Sequence, residues 1–173
     1  MVVDRVENRV LIAGMGPAGL VAALILGRAG VTVSVYEAQS ELPTDLRAST
    51  FHPPTLDMLA KLGIADTLVD MGLIAPTYQW RDRSSGDAAT FDLGCLEGQT
   101  GYPFRLQCEQ FKLTRVAAEL LEQEPTVELF FGMSAEDVTQ DDTGVTLTLR
   151  DKDGTLPTAR GAYVSGAEGA SSG

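Results

Sequence analysis

The sequence predicts an α/β fold in which a parallel βαβ core is interrupted by a mainly antiparallel excursion of short strands. Three observations carry this expectation. The apolar run at residues 10–13 enters the turn Gly14-Met15-Gly16-Pro17-Ala18-Gly19, and an uncharged helical stretch follows. A second strand-like run, Val-Thr-Val-Ser-Val-Tyr at 31–36, ends on Glu37. After Gly72 the pattern changes to short β-rich segments broken by turn residues, before helical spacing returns near Gln107.

Taken in order, residues 1–8 are a polar leader and 9–13 the first strand. Residues 16–29 form the first helix, ended by Gly30, because a glycine just past the last turn accepts the left-handed conformation that closes a helix. Residues 32–37 are the second strand, and 39–50, with Pro43 and Asp45, a loop. Pro53-Pro54 opens a helix, since a first turn has no use for the N–H groups that proline lacks. Leu56, Leu59, Ala60 and Leu62 follow helical spacing, and Gly63 closes that helix. Residues 64–71 continue as a short helix with Ile64, Leu68 and Met71 on one side. Residues 77–82 and 88–93 pair through the turn Ser84-Ser85-Gly86-Asp87. A longer helix is expected at 107–123, with Phe111, Leu113, Val116, Ala117, Leu120 and Leu121 largely on one face. A strand at 127–131, a hairpin over 135–150 through Asp141-Asp142-Thr143-Gly144, and a last strand at 162–165 follow.

Composition removes several classes of function. The chain's 173 residues are enough for one domain with a real core and too few for two full ones. With 24 acidic against 13 basic residues, the net charge of −11 repels nucleic acid and anionic membranes, and neither is expected as a partner. Residues 10–27 carry no charge and have the length of a membrane span or signal peptide. Glycines and a proline interrupt that stretch, no small-residue cleavage site follows, and a β-branched strand comes next, so neither is expected. Cys95 and Cys108 lack metal-ligand spacing and are expected as free, partly buried thiols in a reducing cytoplasm. His52, the single histidine, stands just before the Pro-Pro helix start and reads as a capping residue. Asp141, Asp142, Asp151 and Asp153 sit at hairpin turns and edges, where turn chemistry explains them better than a metal. Tyr78, Trp80, Phe91 and Phe104 read as sheet packing, with a substrate cavity as the alternative.

The glycine-rich turn carries the chemistry. A strand, a Gly-x-Gly-x-x-Gly turn, a helix and an acid at the tip of the next strand are the parts of a Rossmann-like dinucleotide site. Gly14 allows the tight turn, Gly16 lets the backbone approach a pyrophosphate, and Gly19 permits close helix–strand packing. The phosphates meet unpaired N–H groups and the positive end of the helix dipole. Glu37 is placed to accept hydrogen bonds from ribose hydroxyls. The fingerprint alone leaves the choice between an NAD and an FAD site open.

Four motifs then occur in one order: GMGPAGL at 14–20 with Glu37, RASTFHPPTLDMLAKLGI at 47–64, FRLQCEQFKLT at 104–114 and YVSGAEGASS at 163–172. Over nearly the whole chain this order resembles the N-terminal part of the FAD-dependent aromatic hydroxylases, the p-hydroxybenzoate hydroxylase-like flavoprotein monooxygenases. The resemblance implies a Rossmann-like FAD-binding βαβ unit with a partial, mainly antiparallel substrate-domain sheet. It divides the chain into an FAD-binding βαβ unit with its following helices at 1–74, partial substrate-domain strands at 75–105, and a return to the FAD-binding domain at 106–173.

The implied cofactor is FAD, with NAD(P)H as electron donor and a small aromatic or phenolic substrate, hydroxylated by O2 through a flavin C4a-hydroperoxide. The implied cofactor-binding set is Gly14, Gly16, Pro17, Ala18, Gly19, Glu37, Arg47, Gln110 and Glu168, with no catalytic side chain assigned. Glu37 would take the adenosine ribose, and Arg47 would lie near the flavin's phosphate and ribitol, where a guanidinium offers several fixed donors. Gln110 fits the family's polar-x-x-leucine pattern for a ribityl contact, with Gln107 one helical turn earlier as the competing choice. Glu168 stands where the family usually has aspartate, and its extra methylene shifts the carboxylate by roughly 1 Å or more in a tight turn.

Family members continue past this motif to a second flavin-contacting segment, typically Gly-Asp-Ala-x-His. The chain is therefore expected to be incomplete relative to the family, with a separate chain supplying the remaining half as one form of this. A catalytically incompetent FAD- or nucleotide-binding module is the alternative, as is another flavin-dependent oxidoreductase such as a reductase or halogenase. The expected location is cytoplasmic.

Overall fold

The computed structural model describes residues 9–44 and 48–169. In chain order the elements are β1 (Val10–Ala13), α1 (Pro17–Arg28), β2 (Val33–Glu37), β3 (Thr50–Phe51), α2 (Pro53–Ala60), α3 (Ala65–Met71), β4 (Leu73–Ala75), β5 (Thr77–Arg81) and β6 (Ala88–Asp92). A 3-10 turn (Leu93–Leu96) follows, then β7 (Arg105–Gln107), α4 (Gln110–Leu121), β8 (Val127–Phe131), β9 (Met133–Asp141), β10 (Gly144–Asp151), β11 (Thr158–Gly161) and β12 (Tyr163–Gly166). They form two compact units, one from Met1–Thr44 with Thr114–Gly173 and one from Asp45–Leu113.

The first unit is built on a parallel sheet in the order β12-β1-β2-β8. The chain passes from β1 to its parallel neighbour β2 through α1, as a parallel pair requires. The register of β1 and β2 sets Leu11 opposite Ser34 and Ile12 opposite Val35, so the strands alternate together. One face is covered by α1, which buries Gly19, Leu20, Ala23, Leu24 and Gly27. Gly27 has to be small, because a Cβ there would lie 2.5 Å from Val127 Cγ2 on β8. The other face carries the antiparallel sheet β11-β10-β9. Val145, Leu147 and Leu149 alternate inward from β10 and meet Leu11 and Tyr36 in a buried cluster, with Tyr36 stacked on Phe130 at 5.1 Å. Burying each of these aliphatic side chains stabilises the fold by about 1.5–3 kcal/mol.

The aspartates of the β9–β10 hairpin and its neighbour do turn work. Asp141 Oδ1 accepts from the N–H and hydroxyl of Thr143, both at 2.7 Å, and Asp151 Oδ1 accepts from the N–H groups of Asp153 and Thr155. The Arg160 guanidinium on β11 also donates to Asp141, and together these donors hold its carboxyl well below the usual carboxylate range.

The second unit holds the small antiparallel sheet β3-β7-β4, the hairpin β5-β6 and helices α2 and α3. Its buried side chains include Phe51, Leu56, Leu59, Ile64, Leu68, Leu106 and Cys108. Here the structure departs from expectation at Gln107, which ends strand β7; helix α4 starts only at Gln110. Strand pairing decides this. Gln107 pairs with Thr50 and Leu73, and the bonding continues past the strand as Cys108 N–H donates to Ser49 and Gln110 N–H to Ala48, each at 2.9 Å. His52 is the N-cap of α2, but its imidazole makes no capping bond. Pro53 and Pro54 remove two of the donors a cap would serve, and the third, Thr55 N–H, already bonds the His52 carbonyl at 3.0 Å.

The aromatic residues of the hairpin stay at the surface. Every residue of β5 and β6 is exposed, Tyr78 stacks across the strands on Phe91 at 4.8 Å, and Trp80 is 62% exposed. Cys95 is exposed and Cys108 buried, both as free thiols. Among the described residues, no helix is long and apolar enough to cross a membrane.

Candidate functional site

The carboxyl ends of β1, β2 and β12 lie side by side, the edge of a parallel sheet at which open α/β folds bind ligands. Two short backbone bonds fix the turn that leaves β1. Gly14 N–H donates to the Tyr36 carbonyl of β2, and Ala167 N–H, just past β12, donates to the Ala13 carbonyl, both at 2.7 Å.

The three glycines of the turn have different reasons to be glycine. Gly14 has φ +102°, and a Cβ there would lie 2.5 Å from the Ala167 carbonyl oxygen. A Cβ on Gly19 would lie 2.0 Å from the Gly14 carbonyl oxygen, which no rearrangement of a side chain can relieve. Gly16 differs from both. Its φ of −69° and ψ of 178° suit any residue, and a Cβ would find only the Ala167 oxygen at 3.8 Å. The chain's own packing therefore demands Gly14 and Gly19, while Gly16 leaves open a space that a methyl group would fill.

Donors point into the same place. Gly16 is the N-cap of α1 and has no capping side chain, and Pro17 at the first helical position brings no N–H. The N–H groups of Ala18 and Gly19 have no acceptor within the helix by its geometry; Leu20 is the first to bond back, to the Gly16 carbonyl at 3.0 Å. No acidic residue occupies the first turn of α1 to compete for its positive end.

Glu37 closes the site on the β2 side. Its Oε2 accepts from Met15 N–H at 2.9 Å and its Oε1 from Gln39 N–H at 3.0 Å. Each carboxylate oxygen has a second lone pair, so the group still has capacity for a pair of hydroxyls. A diphosphate needs donors and room, and a ribose needs a fixed carboxylate. The residues present fit a dinucleotide on all three counts.

The structure brings Gly14, Gly16, Pro17, Ala18, Gly19 and Glu37 into one site, and sets the backbone of Glu168 against Gly14, where a Cβ would lie 2.9 Å from Glu168 N. The Glu168 side chain is exposed on the loop after β12. Gln110 belongs to the second unit as the half-buried first residue of α4. Gln107 spends its amide locally, donating to Ser49 Oγ at 2.7 Å and accepting from Thr50 Oγ1 at 3.2 Å. Arg47 lies outside the described residues. Sequence reasoning passed over Ala167, whose N–H bonds the Ala13 carbonyl and whose own carbonyl lies where a side chain on Gly14 would have to go. Its signal was the Gly-Ala-Glu-Gly run, read for its acid and not for its backbone.

Comparison with known proteins agrees with this geometry. Residues 7–173 match the family described as the FAD binding domain. The chain is 36% identical over 167 residues to 6-hydroxy-3-succinoylpyridine 3-monooxygenase from Pseudomonas putida, covering 96% of this chain and 42% of that protein. Among solved structures it is similar to the p-nitrophenol 4-monooxygenase of Pseudomonas putida, with a TM-score of 0.87 and 33% identity over 94% of this chain and 41% of the other. It is also similar to the flavin-dependent monooxygenase PieE, solved with FAD and substrate, with a TM-score of 0.80 and 28% identity over 95% and 31%. The chain thus spans about two-fifths of the length of the first of these relatives. With a glycine turn that leaves donors and room at the α1 N-terminus, and a family match over nearly every residue, the chain belongs to the FAD-binding domain family.

Proposed function

We propose that this chain binds FAD and serves an NAD(P)H- and O2-dependent hydroxylation of a small aromatic or phenolic substrate. One observation carries the reading. Gly16 is the glycine whose side-chain space the fold itself leaves unused, directly in front of the α1 N-terminus. In this reading the backbone of Gly14, Gly16, Pro17, Ala18 and Gly19 takes the pyrophosphate, and Glu37 accepts from the adenosine ribose. Arg47 and Gln110 serve the phosphate and ribityl parts, and Glu168 takes the place of the family's aspartate, which serves FAD and nicotinamide-cofactor binding. Bound flavin would supply electron transfer and oxygen activation, chemistry that no amino-acid side chain provides. The chain's own task is to bind, orient and shield it.

Supporting this assignment, the related proteins are named as monooxygenases of a hydroxylated pyridine and of p-nitrophenol. The test is an absorption spectrum of the purified chain and an FAD titration, followed by NADH or NADPH oxidation with phenolic substrates. Flavin uptake with substrate-stimulated oxidation is the expected result. Uptake without oxidation leaves a flavin-binding module and removes the hydroxylase. Well-folded protein that takes up no FAD overturns the proposal.

A further inference from the structure

The carboxylate at the end of β2 is held from two directions, and one of them starts on the neighbouring strand. Glu37 pairs in register with Phe131, the last residue of β8. The next residue, Gly132, stands alone between β8 and β9, where the chain leaves the parallel sheet for the antiparallel one. Its N–H donates to the Gln39 carbonyl at 2.9 Å. Gln39 in turn donates its own N–H to Glu37 Oε1 at 3.0 Å, while Met15 N–H holds Oε2 at 2.9 Å. One carboxylate oxygen is thus fixed by the glycine turn, and the other by a loop that Gly132 fastens. All four residues belong to the first unit.

Gly132 has a conformational reason to be glycine. Its φ is +69°, and a Cβ there would meet nothing within 4 Å. Space does not exclude a side chain; the left-handed backbone does. A residue that cannot hold this φ has to turn the chain differently, and the N–H aimed at Gln39 moves with it. Residues 38–41 are all exposed, so packing does little to fix their loop and the bond from Gly132 counts for more. A ribose diol needs both carboxylate oxygens at set positions, and a supporting loop that drifts loses that pairing. We propose that Gly132 is a positioning residue for the nucleotide site, setting the Glu37 carboxylate for the ribose through the backbone of Gln39. This rests on the FAD reading and deepens it, since it makes affinity depend on a turn outside the glycine-rich motif.

The experiment compares Gly132→Val with Gly154→Val in the full chain. Gly154, in the turn between β10 and β11, is a matched control. Its φ is +78°, a Cβ there would also meet nothing within 4 Å, and its N–H bonds the Asp151 carbonyl at 3.0 Å. A β-branched residue is strained at either position, so both variants should lose a similar few degrees of Tm. Only Gly132→Val should also lose FAD affinity, by at least about fivefold in a flavin-fluorescence titration. Gly132→Asn, whose side chain tolerates the left-handed region, should stay within about twofold of wild type. In a double-mutant cycle, Gly132→Val should cost nothing further in Glu37→Ala protein, because the group it positions is gone. Amide exchange on flavin-free protein reads the link itself: the Gln39 N–H should exchange at least about tenfold faster in Gly132→Val and at the wild-type rate in Gly154→Val. Unchanged FAD affinity in Gly132→Val overturns the inference, as do equal affinity losses in the two valine variants, an asparagine variant as weak as the valine one, an additive cycle or an unchanged Gln39 exchange rate. Should Gly132→Val fail to fold by circular dichroism, Gly132→Ala against Gly154→Ala decides by the same criteria. Wild-type protein that takes up no FAD removes the cofactor reading, and the Gln39 exchange rate then decides the link to Glu37 without it. Flavin uptake with unchanged exchange removes the positioning role alone.

Discussion

Replacing Gly16 by alanine separates what the fold needs from what a ligand needs. The backbone at Gly16, φ −69° and ψ 178°, is open to alanine, and the new Cβ would make one ordinary contact at 3.8 Å. Its effect on the chain without ligand is therefore confined to the unfolded state, whose freedom it reduces. That stabilises the fold by about 0.4–1 kcal/mol, a rise in Tm of about 1–4 °C for a chain of this size. Gly19→Ala is the control. Its Cβ would lie 2.0 Å from a backbone oxygen, and displacing main chain costs at least about 1–3 kcal/mol, a fall of several degrees. In FAD titration the order reverses in meaning. Gly16→Ala, stable and folded, should lose tenfold or more in affinity (about 1.4 kcal/mol) because its methyl stands where the diphosphate approaches. Thermal melts by circular dichroism on flavin-free protein and flavin-fluorescence titrations measure both quantities. The reasoning fails if Gly16→Ala loses as much Tm as Gly19→Ala, or if it binds FAD like the wild type.

Three further outcomes are expected. Glu37→Ala removes the acceptor of Met15 and Gln39 N–H groups; losing charge-assisted bonds of about 1.5–3 kcal/mol each should weaken FAD at least tenfold, read by titration, with Glu37→Gln intermediate. Asp141, whose carboxyl is held low first by Arg160 and then by Thr143, contributes stability that is present above its ordinary value of 3.8 and lost as pH falls below it. The Tm difference between wild type and Asp141→Asn should therefore narrow below about pH 4, and it should be small throughout because the group is solvent-exposed. Burial pushes the Cys108 thiol up while Cys95 is exposed, so an aromatic disulfide reagent should modify one thiol quickly in native protein and the second only on unfolding, counted by released chromophore.

The long elements were legible because their periodicity was long enough to read. Helix α1 and strand β2 lie within a residue or so of where glycine punctuation and β-branched runs predicted them. The short strands were not. Thr50–Phe51, Leu73–Ala75 and Arg105–Gln107 span two or three residues, too few for an alternation to register, and each exists only because the others pair with it. Gln107 shows the conflict most clearly, since its side of the chain continues a helical spacing while its backbone is claimed by Thr50 and Leu73. Within the site, the sequence pointed to the glycines and to Glu37 from spacing alone. What distinguishes Gly16 from Gly14 needed the contact at Ala167, roughly 150 residues away, and no local pattern encodes a contact at that range.

That contact also sets the order in which the site can be made. Val10 is paired with Tyr163, and the phosphate-side turn is bonded through Ala167. A chain emerging from the ribosome presents its glycine turn roughly 150 residues before the strand that braces it. Until β12 arrives, β1 has one open edge of unpaired N–H and C=O groups, the kind of edge that recruits other chains. Closing a loop of that length carries a slowly growing but unavoidable entropic cost before any contact rewards it. The interval before β12 pairs with β1 is thus when this sheet is most exposed to misassembly.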